Sequence, residues 1–93
     1  MNAETQKEIE NVLKKNGFSK QGEVWKIRDA GTYGIFDFDL QFVNGTLHIA
    51  YKQHLDLYWN GRQLEEWVEK DADSLIESLA IDLNAYGGFK LEK

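Results

Sequence analysis

The sequence predicts an α+β domain, an antiparallel meander of three to four strands with an N-terminal and a C-terminal helix packed on one face. Three observations predict it. Apolar residues recur at helical spacing near both ends of the chain, they alternate in its middle, and an Asn-Gly pair separates two alternating stretches. The expected order is α-β-β-β(-β)-α, in one compact domain over residues 1–93.

Thr5 with Glu8 fits a capping box at the start of the first helix, and Ile9, Val12 and Leu13 form its apolar stripe. Asn16-Gly17 then supplies a left-handed stop, and Phe18 beyond it is placed to fold back onto the stripe. From Glu23 the period becomes two: Trp25 and Ile27 alternate with Lys26 and Arg28. A tight turn at Ala30-Gly31 would set Trp25 opposite Phe36. In YGIFDFDLQF, Phe36, Phe38, Leu40 and Phe42 share one face while Asp37, Asp39 and Gln41 share the other.

A two-residue turn at Asn44-Gly45 sets Phe42 opposite Leu47, Leu40 opposite Ile49, and Phe38 opposite Tyr51. On the reverse face it pairs Gln41 with His48 and Asp37 with Lys52, a favourable charge pair. The same inward parity would carry on through Gln53, Leu55, Leu57 and Trp59, with a bend near Gln53-His54, leaving Tyr58 and His54 on the other side. A further turn is expected at Asn60-Gly61; over 62–70, Leu64, Trp67 and Val68 fit a helical turn, while Leu57 facing Leu64 across a hairpin favours a short strand followed by an irregular segment. Asp71, Asp73 and Ser74 with Glu77 mark the start of the last helix. Leu75, Ile76, Leu79, Ala80, Leu83 and Tyr86 line it, and Gly87-Gly88 ends it.

Sixteen acidic against eleven basic residues give a net charge of −5, which disfavours a phosphate-backbone binder. With no cysteine, thiolate chemistry, disulfides and zinc–thiolate sites are excluded. Apolar runs are too short for a membrane span and the polar start MNAETQKEIE is no signal peptide, so the expected location is cytoplasmic. No P-loop, HExxH, G-x-S-x-G or dinucleotide fingerprint occurs; no cofactor, metal site or catalytic residue is assigned, and the chain is not expected to be an enzyme.

The order helix, three-strand meander, helix over residues 3–86 resembles the outline of the double-stranded RNA-binding domain. That family holds phosphates with lysines at the start of its second helix, where this chain reads DADSLIES. The resemblance therefore implies an outline without RNA binding. Gly31-Thr32-Tyr33-Gly34 spells the GxxG of a KH loop, yet it lies between strands and reads as a turn needing glycine.

The exposed sheet face is expected to present Lys26, Arg28, Ile35, Asp37, Asp39, Gln41, His48, Lys52 and His54. Arg28, Tyr58 and Trp67 are the candidate anchors for another protein, since arginine and aromatic residues dominate interface energies. The reading that follows is a small acidic protein-binding module, an inhibitor of a host defence protein of the kind phages and mobile elements carry. The competing readings are a metal-binding or enzymatic domain using Asp37, Asp39, His48 and His54, and a homodimeric structural subunit. On the core side Phe38→Ala is expected to be costly, whereas Asp37→Ala, as an ordinary surface change, is expected to cost within ~0.5 kcal/mol.

Overall fold

The computed structural model of the chain describes residues 3–43, 46–53, 58–63 and 71–93. They form helix α1 (Ala3–Lys15), strands β1 (Ser19–Gln21), β2 (Val24–Ala30), β3 (Phe36–Val43), β4 (Thr46–Gln53) and β5 (Tyr58–Gln63), and helix α2 (Ala72–Gly87). Each strand pairs antiparallel with the next, so β3 is central in one five-stranded sheet. The expected α+β order is present. Its one addition is β1, a three-residue edge strand too short and polar to show an apolar alternation.

Helix α1 already runs from Ala3, so Thr5 lies in its first turn and not at a cap. The stop is as expected. Gly17 has φ 93°, its N–H bonds the Lys14 carbonyl, and the Phe18 N–H bonds the Leu13 carbonyl at 3.0 Å. That pair of bonds is a Schellman motif, and it drops Phe18 into the core. At the start of α2 the Asp71 carboxylate accepts the Ser74 N–H at 2.8 Å, and at its end Gly88 adopts the left-handed conformation.

Both helices cover the same face of the sheet. Ile9 and Leu13 from α1 and Leu75, Ile76, Leu79 and Leu83 from α2 meet Trp25, Phe38, Leu40, Leu47 and Ile49 from the strands. Phe38, Leu40 and Leu47 are fully buried. Their burial is the main stabilising term, since a buried side chain of this size contributes roughly 1.5–3 kcal/mol by transfer alone. The segment after α2 completes this core: the Phe89 ring stands edge-on to Phe18 and Phe38, at 5.7 and 5.8 Å. The Asn16 side chain exchanges two hydrogen bonds with the Glu92 backbone, at 2.6 and 2.7 Å, and holds that segment against the end of α1.

The β3–β4 register is the expected one, pair for pair: Phe38 faces Tyr51, Leu40 faces Ile49, Asp37 faces Lys52, Gln41 faces His48. Residues 44 and 45, the expected turn, lie outside the described residues, but Val43 pairs with Thr46 across them. Elsewhere the expectation is corrected. Trp25 pairs with Leu40 and not with Phe36, because β2 is bulged between Ile27 and Ala30 and a 3-10 turn at Thr32–Gly34 replaces the tight turn. The shift is an even number of residues, so Trp25 stays on the core face. Asn60-Gly61 is not a turn: it lies inside β5, Asn60 paired with Tyr51 and Gly61 with Ala50. Reversal between β4 and β5 inverts the parity, so Trp59 pairs with Lys52 and Tyr58 with Gln53, the opposite of the expected placement. The strand expected within 62–70 is seen as the end of β5 at Arg62 and Gln63; residues 64–70, with Trp67, lie outside the described residues.

Candidate functional site

Among the described residues no helix lies over the second face of the sheet. Register places Val24 and Lys26 of β2, Asp37, Asp39 and Gln41 of β3, and His48, Ala50 and Lys52 of β4 on it. One row crosses four strands, Lys26–Asp39–Ala50–Gly61, and loses side-chain bulk toward β5. Asp39 is diagonal to His48, as expected from the sequence.

Arg28 organises one end of this face. Its Nη1 bonds Asp39 Oδ1 at 2.7 Å and its Nε lies 3.8 Å from Asp37 Oδ2, while 43% of its side chain remains exposed. Arg28 Nη1 also bonds the Ile27 carbonyl at 3.1 Å. A guanidinium held on two carboxylates loses little rotamer freedom when a partner meets it.

Asp37 is not the exposed residue its parity suggested. It is 6% exposed, and its Oδ1 accepts the N–H of Asp29 at 3.2 Å. Asp29 is the bulge residue with φ 53°, so the carboxylate ties the bulge of β2 to the central strand. Ile35 is also displaced from the sheet face: it follows the 3-10 turn with φ −114° and ψ 3° and lines a pocket described below. His48 and Lys52 are half-buried at their expected places. Tyr58 takes a register position in β5, and His54 and Trp67 lie outside the described residues.

For the metal reading the decisive contact is Arg28, because its cationic group occupies the space between Asp37 and Asp39 that a metal ion would need. At the other end of the domain, the start of α2 carries Asp71. The Ser74 backbone N–H, and then the Ser74 side chain, hold its carboxyl below the ordinary aspartate value. An anion approaching this helix end meets a carboxylate already seated on the N–H groups it would need.

A second feature escaped the sequence reading. A pocket of ≈ 330 Å³ opens between the β2–β3 turn and the end of α2, lined by Thr32, Tyr33, Ile35, Phe36, Ala85, Tyr86, Gly87 and Gly88. The turn is pressed onto the helix: a Cβ at Gly31, whose φ is 72°, would collide with the carbonyl oxygen of Gly87. Tyr33, at φ 63°, is 90% exposed, and Ile81, one turn before Ala85 on α2, is 63% exposed. Ile81 was visible in the sequence as an apolar residue off the Leu75–Leu79–Leu83 stripe. Tyr33 was hidden by the glycines around it, which read as turn alone.

The chain matches no protein-family model, no curated protein and no solved structure.

Proposed function

We propose that this chain is a small protein-recognition module that meets its partner through the helix-free face of the sheet. The observation that carries the proposal is Arg28, half-exposed and held on Asp37 and Asp39. Arginine, with tryptophan and tyrosine, is enriched among interface anchors, and one fixed before contact has less freedom to lose on binding. Around it the face alternates acidic, basic and amide groups, a composition suited to polar recognition with charge complementarity. Small size and a net charge of −5 favour an inhibitor that occupies a basic surface of another protein, of the kind phages and mobile elements direct at host defences.

The test is affinity capture from the source cells with mass spectrometry, using the chain and two variants on this face, Arg28→Ala and Gln41→Arg. Arg28→Ala is expected to lower affinity for the captured protein at least about thirtyfold, as loss of an anchor does. Gln41→Arg, which places bulk on the face away from the bulge, should also weaken capture, with thermal melts confirming that it folds. Capture unchanged by Gln41→Arg would remove the sheet face from consideration.

A further inference from the structure

Of the two large hydrophobic side chains most exposed among the described residues, Tyr33 lines the pocket between the β2–β3 turn and the last turn of α2, and Ile81 lies one helical turn before Ala85 of its lining. We propose that this pocket binds the side chain of an arginine presented by a partner polypeptide. The inference is independent of the sheet-face reading and concerns a different surface.

Four features of the pocket converge on a flat cation with an apolar stem. Tyr33, Phe36 and Tyr86 are among its lining residues; Tyr86 stacks on Tyr51 and Phe36 lies against Gly87, so Tyr33 is the ring that offers an open face. Aromatic faces are electronegative, and a guanidinium stacks on them while its methylene stem covers apolar surface. Next, Gly87 and Gly88 in the lining are the C-terminal end of a 16-residue helix, which bears partial negative charge. The last turn of α2 contains no basic residue to offset it; the Leu83 and Asn84 carbonyls already accept the Phe89 and Gly88 N–H groups, so the attraction for a guanidinium is that of the helix dipole. Among the described residues no lysine or arginine lines the pocket, and a chain with net charge −5 draws cations toward it. Finally, the volume of ≈ 330 Å³ lies at the small end of ligand sites and suits one side chain.

Backbone geometry fixes the receptor. Tyr33 has φ 63° and sits between Gly31 and Gly34, both also at positive φ. A left-handed tyrosine costs about 1–2 kcal/mol, and such strain gathers where a side chain is displayed for contact. The contact of Gly31 with Gly87 keeps the turn from drifting off the helix, so Tyr33 stays at the pocket's edge. Ile81, one turn back on α2, extends the apolar surface on which the residue flanking the arginine would rest.

The test is an NMR titration of the intact chain with acetyl-Gly-Arg-Gly-amide, following the Tyr33, Phe36 and Gly88 resonances. The neutral isostere with citrulline in place of arginine, the leucine peptide and tetramethylammonium chloride are titrated in parallel. The arginine peptide is expected to give saturable shifts at these residues, at least about threefold tighter than citrulline. Tyr33→Ala is expected to weaken it about two- to fivefold, the range of an exposed cation–π contact, while Tyr33→Phe retains it. Because Tyr33 is 90% exposed, neither change removes core packing. Equal affinity for citrulline, or tighter binding of leucine, would overturn the proposal in favour of an apolar pocket. Tighter binding of tetramethylammonium would overturn it in favour of a small quaternary cation, and no shift with any probe would overturn it outright.

Discussion

The central strand β3 has a hairpin on each side, and the two are built on different principles. Toward β4, residues pair one for one from Phe36–Gln53 to Val43–Thr46, with Phe38, Leu40 and Phe42 facing Tyr51, Ile49 and Leu47. Toward β2, pairing runs from Val24–Gln41 to Ile27–Phe38, breaks at a bulge, and resumes at Ala30–Phe36. Alternation and a two-residue spacing at Asn44-Gly45 are enough to predict the first hairpin from the sequence. Three further devices specify the second: a carboxylate on the bulge N–H, a left-handed Asp29 and Tyr33, and a glycine pressed on a helix end. The difference shows that alternation sets which face a residue takes, while local backbone devices set where along the strand it sits.

The contrast is broken first at neighbouring positions of β3. Phe38 is fully buried among Phe36, Tyr51 and Phe89, so Phe38→Ala is expected to cost about 3–5 kcal/mol. Asp37→Ala, expected from the sequence to be nearly neutral, should instead cost about 1–3 kcal/mol, because it strips the acceptor from the Asp29 N–H and from Arg28. Denaturant midpoints and slopes measure both. A loss under about 0.5 kcal/mol for Asp37→Ala would show that the bulge holds without its carboxylate.

The smallest effect sharpens the same idea at α2, where Asp71 also accepts a backbone N–H. Its carboxyl is held below the ordinary aspartate value of 3.8, first by the Ser74 backbone N–H. A carboxyl more acidic in the folded than in the unfolded chain contributes stability above the ordinary value. That contribution is lost as pH falls through the lowered one. Asp71→Asn keeps a capping acceptor but does not titrate. The stability advantage of the natural chain over this variant should therefore be constant at neutral pH and shrink once pH drops below 3.8. Parallel stability curves down to about pH 2 would refute the assignment.

These two carboxylates also mark the boundary of what the sequence discloses. The Asp71 bond spans three residues and follows a known helix-start pattern, so it was legible. The Asp37–Asp29 bond spans eight residues and two strands, and nothing local announces it. The glycines divide in the same way. Gly17 ends a helix within its own segment and was foreseen, whereas Gly31 is required by Gly87, which is distant in sequence. Asn60-Gly61 misled because a turn pair lies inside a strand, with Gly61 beside the small Ala50. At the sites, the helix-free face and its Arg28, Asp39, His48 and Lys52 were legible from parity. The burial of Asp37 and the pocket beside Tyr33 were not, since both depend on how separate elements pack.

The Asn16–Glu92 clasp has a consequence for the order of assembly. Every strand pairs with its neighbour in sequence, so the sheet closes by short loops, each at small entropic cost. The clasp joins residues 76 apart in sequence, and the Lys15 side chain bonds the Lys93 carbonyl across 78, separations far larger than those within any strand pair. The meander is therefore expected to form first and the closing segment to latch last, with Phe89 leaving the core before the sheet loosens. Hydrogen exchange would report this as earlier opening at the Glu92 and Phe18 amides than at Leu40 and Ile49. Simultaneous exchange at all four would instead make latch and meander a single cooperative unit.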